Sequence, residues 1–300
     1  MSKARTERRW VTRFLKPVDL ALIIYLFLLS LYISLFHSNI DGYPYQLLFN
    51  LSVLVVVLGI SYIDFRAMTS LSAFLHMFYP VLFLGSLYEQ THTLNLAVFS
   101  HPLDSIIIGW EESIFGMQPS VEFFEHFPYP VVYEYFYFAY FSYFLLVGLT
   151  PLIFWFLGKR RISEEVVFVT TSSFLVCYLI FSIFPFYGPR LMLPGANQFP
   201  LGGIFVFSRF IKFIYDNVAI HGAAFPSSHV VAATVLMLFY HRYLKKVAPL
   251  VTVVVISLIF ATFYCRFHYA LDAISGFFLG LLFFGIFRRL FRLWYNRLEK

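Results

Sequence analysis

Charge is what this chain has least of. Lys, Arg, Asp and Glu together make up 13% of its 300 residues, about half the share of an ordinary soluble domain. Cysteine is nearly missing too. Cys177 and Cys265 form no metal-binding or redox spacing. Each lies within or at the end of an apolar run, where a thiol is a small buried hydrophobe. The two-residue apolar–polar alternation of a membrane β-barrel is absent. So are internal repeats and any stretch polar enough to form a separate soluble domain. These absences make a soluble core enzyme a poor second reading.

What is present is apolar length. Hydrophobic residues make up 60% of the chain, mean hydropathy is +0.76, and long apolar runs recur from Asp19 to Phe287. A bilayer core takes roughly 20 apolar helical residues to cross. The pattern predicts an all-α fold, a polytopic transmembrane helical bundle of about eight spans at 18–37, 45–64, 69–88, 131–157, 165–184, 226–244, 248–265 and 269–287. The third is broken up by Ser, His76 and Pro80. The first is too long for a signal-peptide core, with no small-residue cleavage site after it, and reads as a retained anchor.

The net charge of +6 invites a nucleic-acid reading. The basic residues argue against it, because they sit in short clusters between apolar runs. Eighteen of the 22 Lys and Arg fall in the two tails and in alternate loops. By the positive-inside rule both termini are then cytoplasmic. The expected organisation is a basic cytoplasmic tail (1–17), N-terminal helices (18–88), a non-cytoplasmic loop (89–130), a catalytic membrane domain (131–287) and a second basic tail (288–300). The loop holds six carboxylates and no Lys or Arg. Within it, LDSIIIGWEESIFG (Leu103–Gly116) gathers Leu103, Ile106, Ile107, Trp110, Ile114 and Phe115 near one helical face. That suits an interfacial helix on the outer leaflet or a lid packed on the bundle.

Polar residues interrupt the apolar pattern at three places, all on the non-cytoplasmic side. They are FPFYGPRLMLPG (Phe184–Gly195), AFPSSHVVAATV (Ala224–Val235) and CRFHYALDAISG (Cys265–Gly276). Burying such groups unpartnered costs several kcal/mol, about 2–7 each. His268 and Asp272 are four apart, one turn on a helix. A carboxylate on one imidazole nitrogen fixes the tautomer and leaves the other free as nucleophile or base. The alternative is a structural bond tying two helices. Pro226 suits a first helical turn, and the hydroxyls and amides of Ser227 and Ser228 make a helix N-terminus fit for an anion. His229 follows as a proton donor, or as a plain neighbour of an ordinary cap. Arg190 and Arg266 add two guanidinium forks matched to phosphate oxygens, unless the loop carboxylates pair with them. Together these groups describe phosphoryl transfer through a histidine. His76, His92, His101 and His126 lack ligand spacing, and no metal site is expected.

At these residues the chain resembles the type 2 phosphatidic acid phosphatase superfamily, whose signatures are Lys-x6-Arg-Pro, Pro-Ser-Gly-His and Ser-Arg-x5-His-x3-Asp. The second appears as Pro226-Ser227-Ser228-His229, and the third ends in His268-x3-Asp272. The likeness covers roughly residues 100–285. It includes IFGMQPS (Ile114–Ser120) and FAYFSYFLL (Phe138–Leu146), which look like a bacterial branch that itself resembles inositol phosphorylceramide synthases. There are departures. Ile183 stands where the first signature has Lys, Arg190 follows a Pro instead of preceding one, and Thr262 stands where the third has Arg. Arg266 is the candidate substitute.

The resemblance implies a six-helix phosphatase core towards the C-terminal two-thirds. It implies an integral-membrane enzyme of lipid metabolism, a phosphoric ester hydrolase or phosphotransferase needing no cofactor, with the bacterial inner membrane as its location. His268 would attack phosphorus, Asp272 would orient it, and His229 would protonate the leaving oxygen. Arg190, Arg266, Ser227 and Ser228 would hold the phosphate. The expected partners are a lipid phosphate, the bilayer and an alcohol acceptor in the transferase case, with no nucleic acid. The rivals are an inositol phosphorylceramide synthase-like transferase and, in a different class, a non-catalytic lipid-phosphate binding or transport protein.

Overall fold

The computed structural model describes residues 14–196, 206–218 and 221–299. Most of the N-terminal basic tail, part of the Gly- and Pro-rich stretch before Ala224, and Lys300 lie outside the described residues. Twelve α-helices and no strand are present among the described residues. In chain order they are α1 (Pro17–Leu35), α2 (Tyr43–Ala67), α3 (Ser70–Leu94), α4 (Asp104–Phe115), α5 (Pro119–His126), α6 (Pro130–Phe156), α7 (Arg160–Ile183), α8 (Pro189–Met192), α9 (Val206–Val218), α10 (Ser228–Tyr243), α11 (Ala248–Tyr264) and α12 (Ala270–Glu299). The fold is an all-α polytopic helical bundle, as the apolar pattern predicts.

Six helices, α1, α2, α3, α6, α7 and α12, are long and apolar enough to cross a membrane, which makes this a membrane protein. The other two expected spans are present as helices but are shorter. α10 has 16 residues and α11 has 17, about 24–26 Å at 1.5 Å per residue. Sequence hydropathy cannot see why α10 starts late. The chain enters it through Pro226, and Ser227 caps it, accepting the Val230 N–H at 3.5 Å. α12 runs past the expected limit at 287 to Glu299, so the basic C-terminal segment extends this helix.

α7 is the central post. Along it Ser163 and the consecutive run Thr170, Thr171, Ser172 and Ser173 are buried among apolar residues. α1, α3, α6, α10 and α12 all pack against it. Small residues let neighbouring backbones come close, the usual device where lipid removes the hydrophobic drive for association. The same device joins α10 to α12. A Cβ at Gly276 would lie 2.7 Å from the Ser227 carbonyl oxygen, and one at Gly280 would lie 2.7 Å from Thr234 Cβ. The Gly-x3-Gly spacing thus draws the start of α12 onto the start of α10.

Polar bonds pin both ends of the bundle. At one end the Tyr32 hydroxyl reaches the carbonyls of Ser182 (2.7 Å) and Leu94 (3.2 Å), joining α1, α3 and α7. At the other, His76 lies between Asp19 (2.8 Å) and Asp64 (2.9 Å), and Arg288 pairs with Glu165 at 2.7 Å. His76 and Ser72, which donates to Asp64 at 2.7 Å, interrupt the third apolar run and are thus partnered inside the N-terminal three-helix unit.

Candidate active site

Alternating helix direction carries the end of α7, the start of α10 and the α11–α12 turn to one end of the bundle. His229 is the second residue of α10, and His268 lies in the turn just before α12. Their rings meet, with Nε2 of His268 3.4 Å from Nδ1 of His229.

The proton positions follow from one bond. Nδ1 of His268 lies 2.8 Å from the carbonyl oxygen of Ala224. A carbonyl only accepts, so Nδ1 carries the proton and a neutral His268 keeps its lone pair on Nε2. That lone pair can only accept from His229, so Nδ1 of a neutral His229 carries a proton aimed at Nε2. Nε2 of His229 then accepts from the Tyr140 hydroxyl, 3.1 Å away. Tyr143 packs against the His229 ring with centroids 4.4 Å apart and the planes tilted by 53°. The result is a nucleophilic nitrogen facing a proton donor.

Asp272 sits differently from the one-turn helical pair expected. α12 begins only at Ala270, and the Asp272 carboxylate reaches back to accept the Tyr269 N–H at 2.8 Å. Such a reach-back bond and the helix dipole both favour an acid in the first turn. The same oxygen is 3.6 Å from Nδ1 of His268, so the Ala224 carbonyl is the closer partner and Asp272 supplies nearby negative charge.

Arg190, on α8, is buried. Its Nη2 donates to the Cys265 carbonyl at 3.0 Å, and its guanidinium lies over Tyr215 and Phe267, each 4.9 Å to the centroid. Arg190, Ser228, His229 and His268 line one cavity of about 390 Å³. Gly188 allows this convergence at φ +90°, because a Cβ there would lie 2.9 Å from the Phe267 carbonyl oxygen. Arg266 stands apart from the cavity lining. Its guanidinium covers the Phe124 ring at 4.0 Å and donates to the Gly195 carbonyl at 3.2 Å. Ser227 is fully buried beneath the site, capping α10 and donating its own N–H to the Asp272 carbonyl at 3.1 Å.

Two carboxylates that sequence reasoning assigned only to an acidic loop hold this arrangement from α4. Asp104 accepts from Tyr187 N–H (2.8 Å), Gly188 N–H (2.7 Å) and the Tyr269 hydroxyl (3.0 Å). Burial pushes its carboxyl upward, and these three donors oppose the shift. Glu111 accepts the Leu271 N–H at 3.0 Å, at the opening of α12. Its pKa is pushed up to about 7, chiefly by burial, with repulsion from Asp272 adding to it. Asp104, Ile107 and Glu111 form the buried face of α4, while Ile106, Trp110 and Ile114 are exposed. The expected apolar stripe is thus split, with polar groups serving the bundle and apolar ones facing outward. The i, i+3, i+7 spacing of Asp104, Ile107 and Glu111 was the available signal. Glu134, near the start of α6, caps α9 by accepting the Ser208 N–H at 3.2 Å.

The family model of the PAP2 superfamily matches residues 106–286. That is more than half of the chain, and it takes in the paired histidines, Arg190 and Asp272, so the chain belongs to the PAP2 superfamily. Membership supports phosphatase-type chemistry on phosphoric esters. No curated protein and no solved structure matches the chain.

Proposed function

We propose that this protein is a metal-independent lipid phosphate phosphatase or phosphotransferase that works through a phosphohistidine. The single observation carrying this reading is the ordered pair in which Nε2 of His268 faces the Nδ1 proton of His229. With the anionic phosphate bound beside it, His229 takes up a second proton on Nε2. Nε2 of His268 then attacks phosphorus as the P–O bond to the leaving group breaks, and the His229 imidazolium gives its Nδ1 proton to the departing oxygen and is left neutral. His229 then takes a proton from water or an alcohol, whose oxygen attacks phosphorus as the P–N bond breaks. Asp272 stabilises the imidazolium from 3.6 Å. Arg190 and the α10 N-terminus at Ser228 neutralise the phosphoryl oxygens, electrostatic work that matters most in a site screened from water. Arg266 and Ser227 support this cradle from behind, through Gly195 and the α10 cap.

The rings are in contact at 3.4 Å. A phosphoryl group bonded to one nitrogen and hydrogen-bonded to the other takes roughly 5 Å, a covalent bond plus a hydrogen bond. Binding therefore moves His229 away from His268, against its bond to Tyr140.

The concentration of Lys and Arg in the tails and alternate loops supports cytoplasmic termini and a site on the non-cytoplasmic face of the inner membrane. A turnover assay over lipid phosphates and diphosphates, with and without inositol or other alcohols, tests the reading. Free phosphate identifies hydrolysis, and a phosphorylated alcohol identifies transfer. Full phosphate release by His268→Ala refutes the enzyme and leaves a binding protein.

A further inference from the structure

The cavity that holds the two histidines does not end at them. It continues down a slot between α3 and α6, over Tyr178 of α7. Both helices pack against α7 but make little contact with each other. Val81, Leu84 and Gly85 of α3 form one wall, and Phe144, Val147 and Gly148 of α6 form the other. From Tyr140, beside His229, to Gly148 is eight residues, about 12 Å along the helix at 1.5 Å per residue. Gly85 and Phe144 are exposed, so the slot opens sideways between the helices. α3 lies outside the matched segment 106–286, so this wall belongs to the chain's own N-terminal unit.

We propose that this slot binds the hydrocarbon tail of the phosphate-bearing substrate, and that Gly85 and Gly148 set how long a tail it accepts. The inference rests on the phosphotransfer reading for the identity of the headgroup. Continuity with Arg190, His229 and His268 selects the occupant, since a molecule filling the whole cavity must be anionic at one end and apolar for the rest. A Cβ at either glycine meets nothing within 4 Å, so both positions face open space. A larger side chain there fills the slot without disturbing the helices. Tyr88 lines the same cavity and interacts with Tyr140 beside His229. Gly85 is three residues from Tyr88 and Gly148 is eight from Tyr140, so Gly85→Leu blocks the slot nearer the histidines.

The test is kcat/KM for monomeric alkyl phosphates from butyl to tetradecyl. Each methylene kept out of an apolar site costs about fourfold, from about 0.8 kcal/mol per methylene. The tetradecyl-to-butyl ratio should fall about fifteenfold or more in Gly85→Leu. The break in the profile should come at a longer chain in Gly148→Leu. Unchanged ratios in both variants overturn the proposal. A tetradecyl phosphate with a terminal diazirine separates its failure from failure of the enzyme reading, because photolabelling needs no turnover. Labels on α3 and α6 support the slot. Labels confined to the groove between α1, α7 and α12, lined by Ile24, Leu175 and Trp294, overturn it even if the protein is an active phosphatase.

Discussion

Asp104→Asn is the substitution that most sharply tests how the site is held. The Asp104 carboxylate is fully buried and accepts three bonds, two through Oδ1 (Gly188 N–H, Tyr269 hydroxyl) and one through Oδ2 (Tyr187 N–H). An amide keeps its oxygen where two donors meet, at Oδ1. Its NH2 group then faces the Tyr187 N–H, donor against donor. One charge-assisted bond is lost outright, about 1.5–3 kcal/mol, and the other two fall to neutral strength. The expected loss is about 2–4 kcal/mol of stability. Asp104→Ala strands all three donors, at about 1–3 kcal/mol each, a large part of a typical fold's stability of about 5–15 kcal/mol. Function should suffer beyond stability. The three donors flank Arg190 on one side and His268 on the other, and a misplacement of about 1 Å can cost a hundredfold in rate. Thermal unfolding of the detergent-solubilised protein and phosphate release at a temperature where the variant stays folded measure the two effects. A variant with wild-type melting and wild-type turnover would refute the idea that α4 positions the site.

Three further outcomes are expected. Tyr140→Phe removes the 3.1 Å bond to His229, worth about 0.5–1.5 kcal/mol; kcat should change severalfold with little change in melting temperature, as steady-state kinetics would show. Gly280→Leu drives a side chain into Thr234 and the Val231 carbonyl, an overpacking cost of about 1–3 kcal/mol, and should lower both stability and kcat by parting the histidines. Glu111 has its folded-state pKa raised from 4.5 to about 7, so between those values the folded state holds more protons than the unfolded one. Its contribution therefore makes stability fall as pH rises through that window, and Glu111→Gln should flatten this part of a melting-temperature profile.

The helices and the paired histidines were legible in sequence for clear physical reasons. Apolar length marks a helix that must satisfy its own backbone in lipid, and His229 and His268 stand out because polar groups are costly there. The limits of that reading are equally physical. α10 is set by Pro226 and a Ser227 cap, and it starts later than hydropathy alone suggests. His268 is oriented first by the carbonyl of Ala224, a group every residue carries and no motif can flag. Asp104 and Glu111 looked like surface charge in an acidic loop because their partners, backbone amides of residues 187, 188 and 271, are far away in the chain. Arg266 matched the expected chemistry but packs on Phe124, a distinction only the turn at the end of α11 decides.

The most direct measurement is rapid quenching of the enzyme during turnover of a lipid phosphate, followed by mass spectrometry of its peptides. A phosphoryl group is expected on Nε2 of His268, accumulating when His229 is replaced by Ala and an activated leaving group is supplied. Steady turnover with no modified histidine at 268, or a phosphoryl group found on another residue, would contradict it.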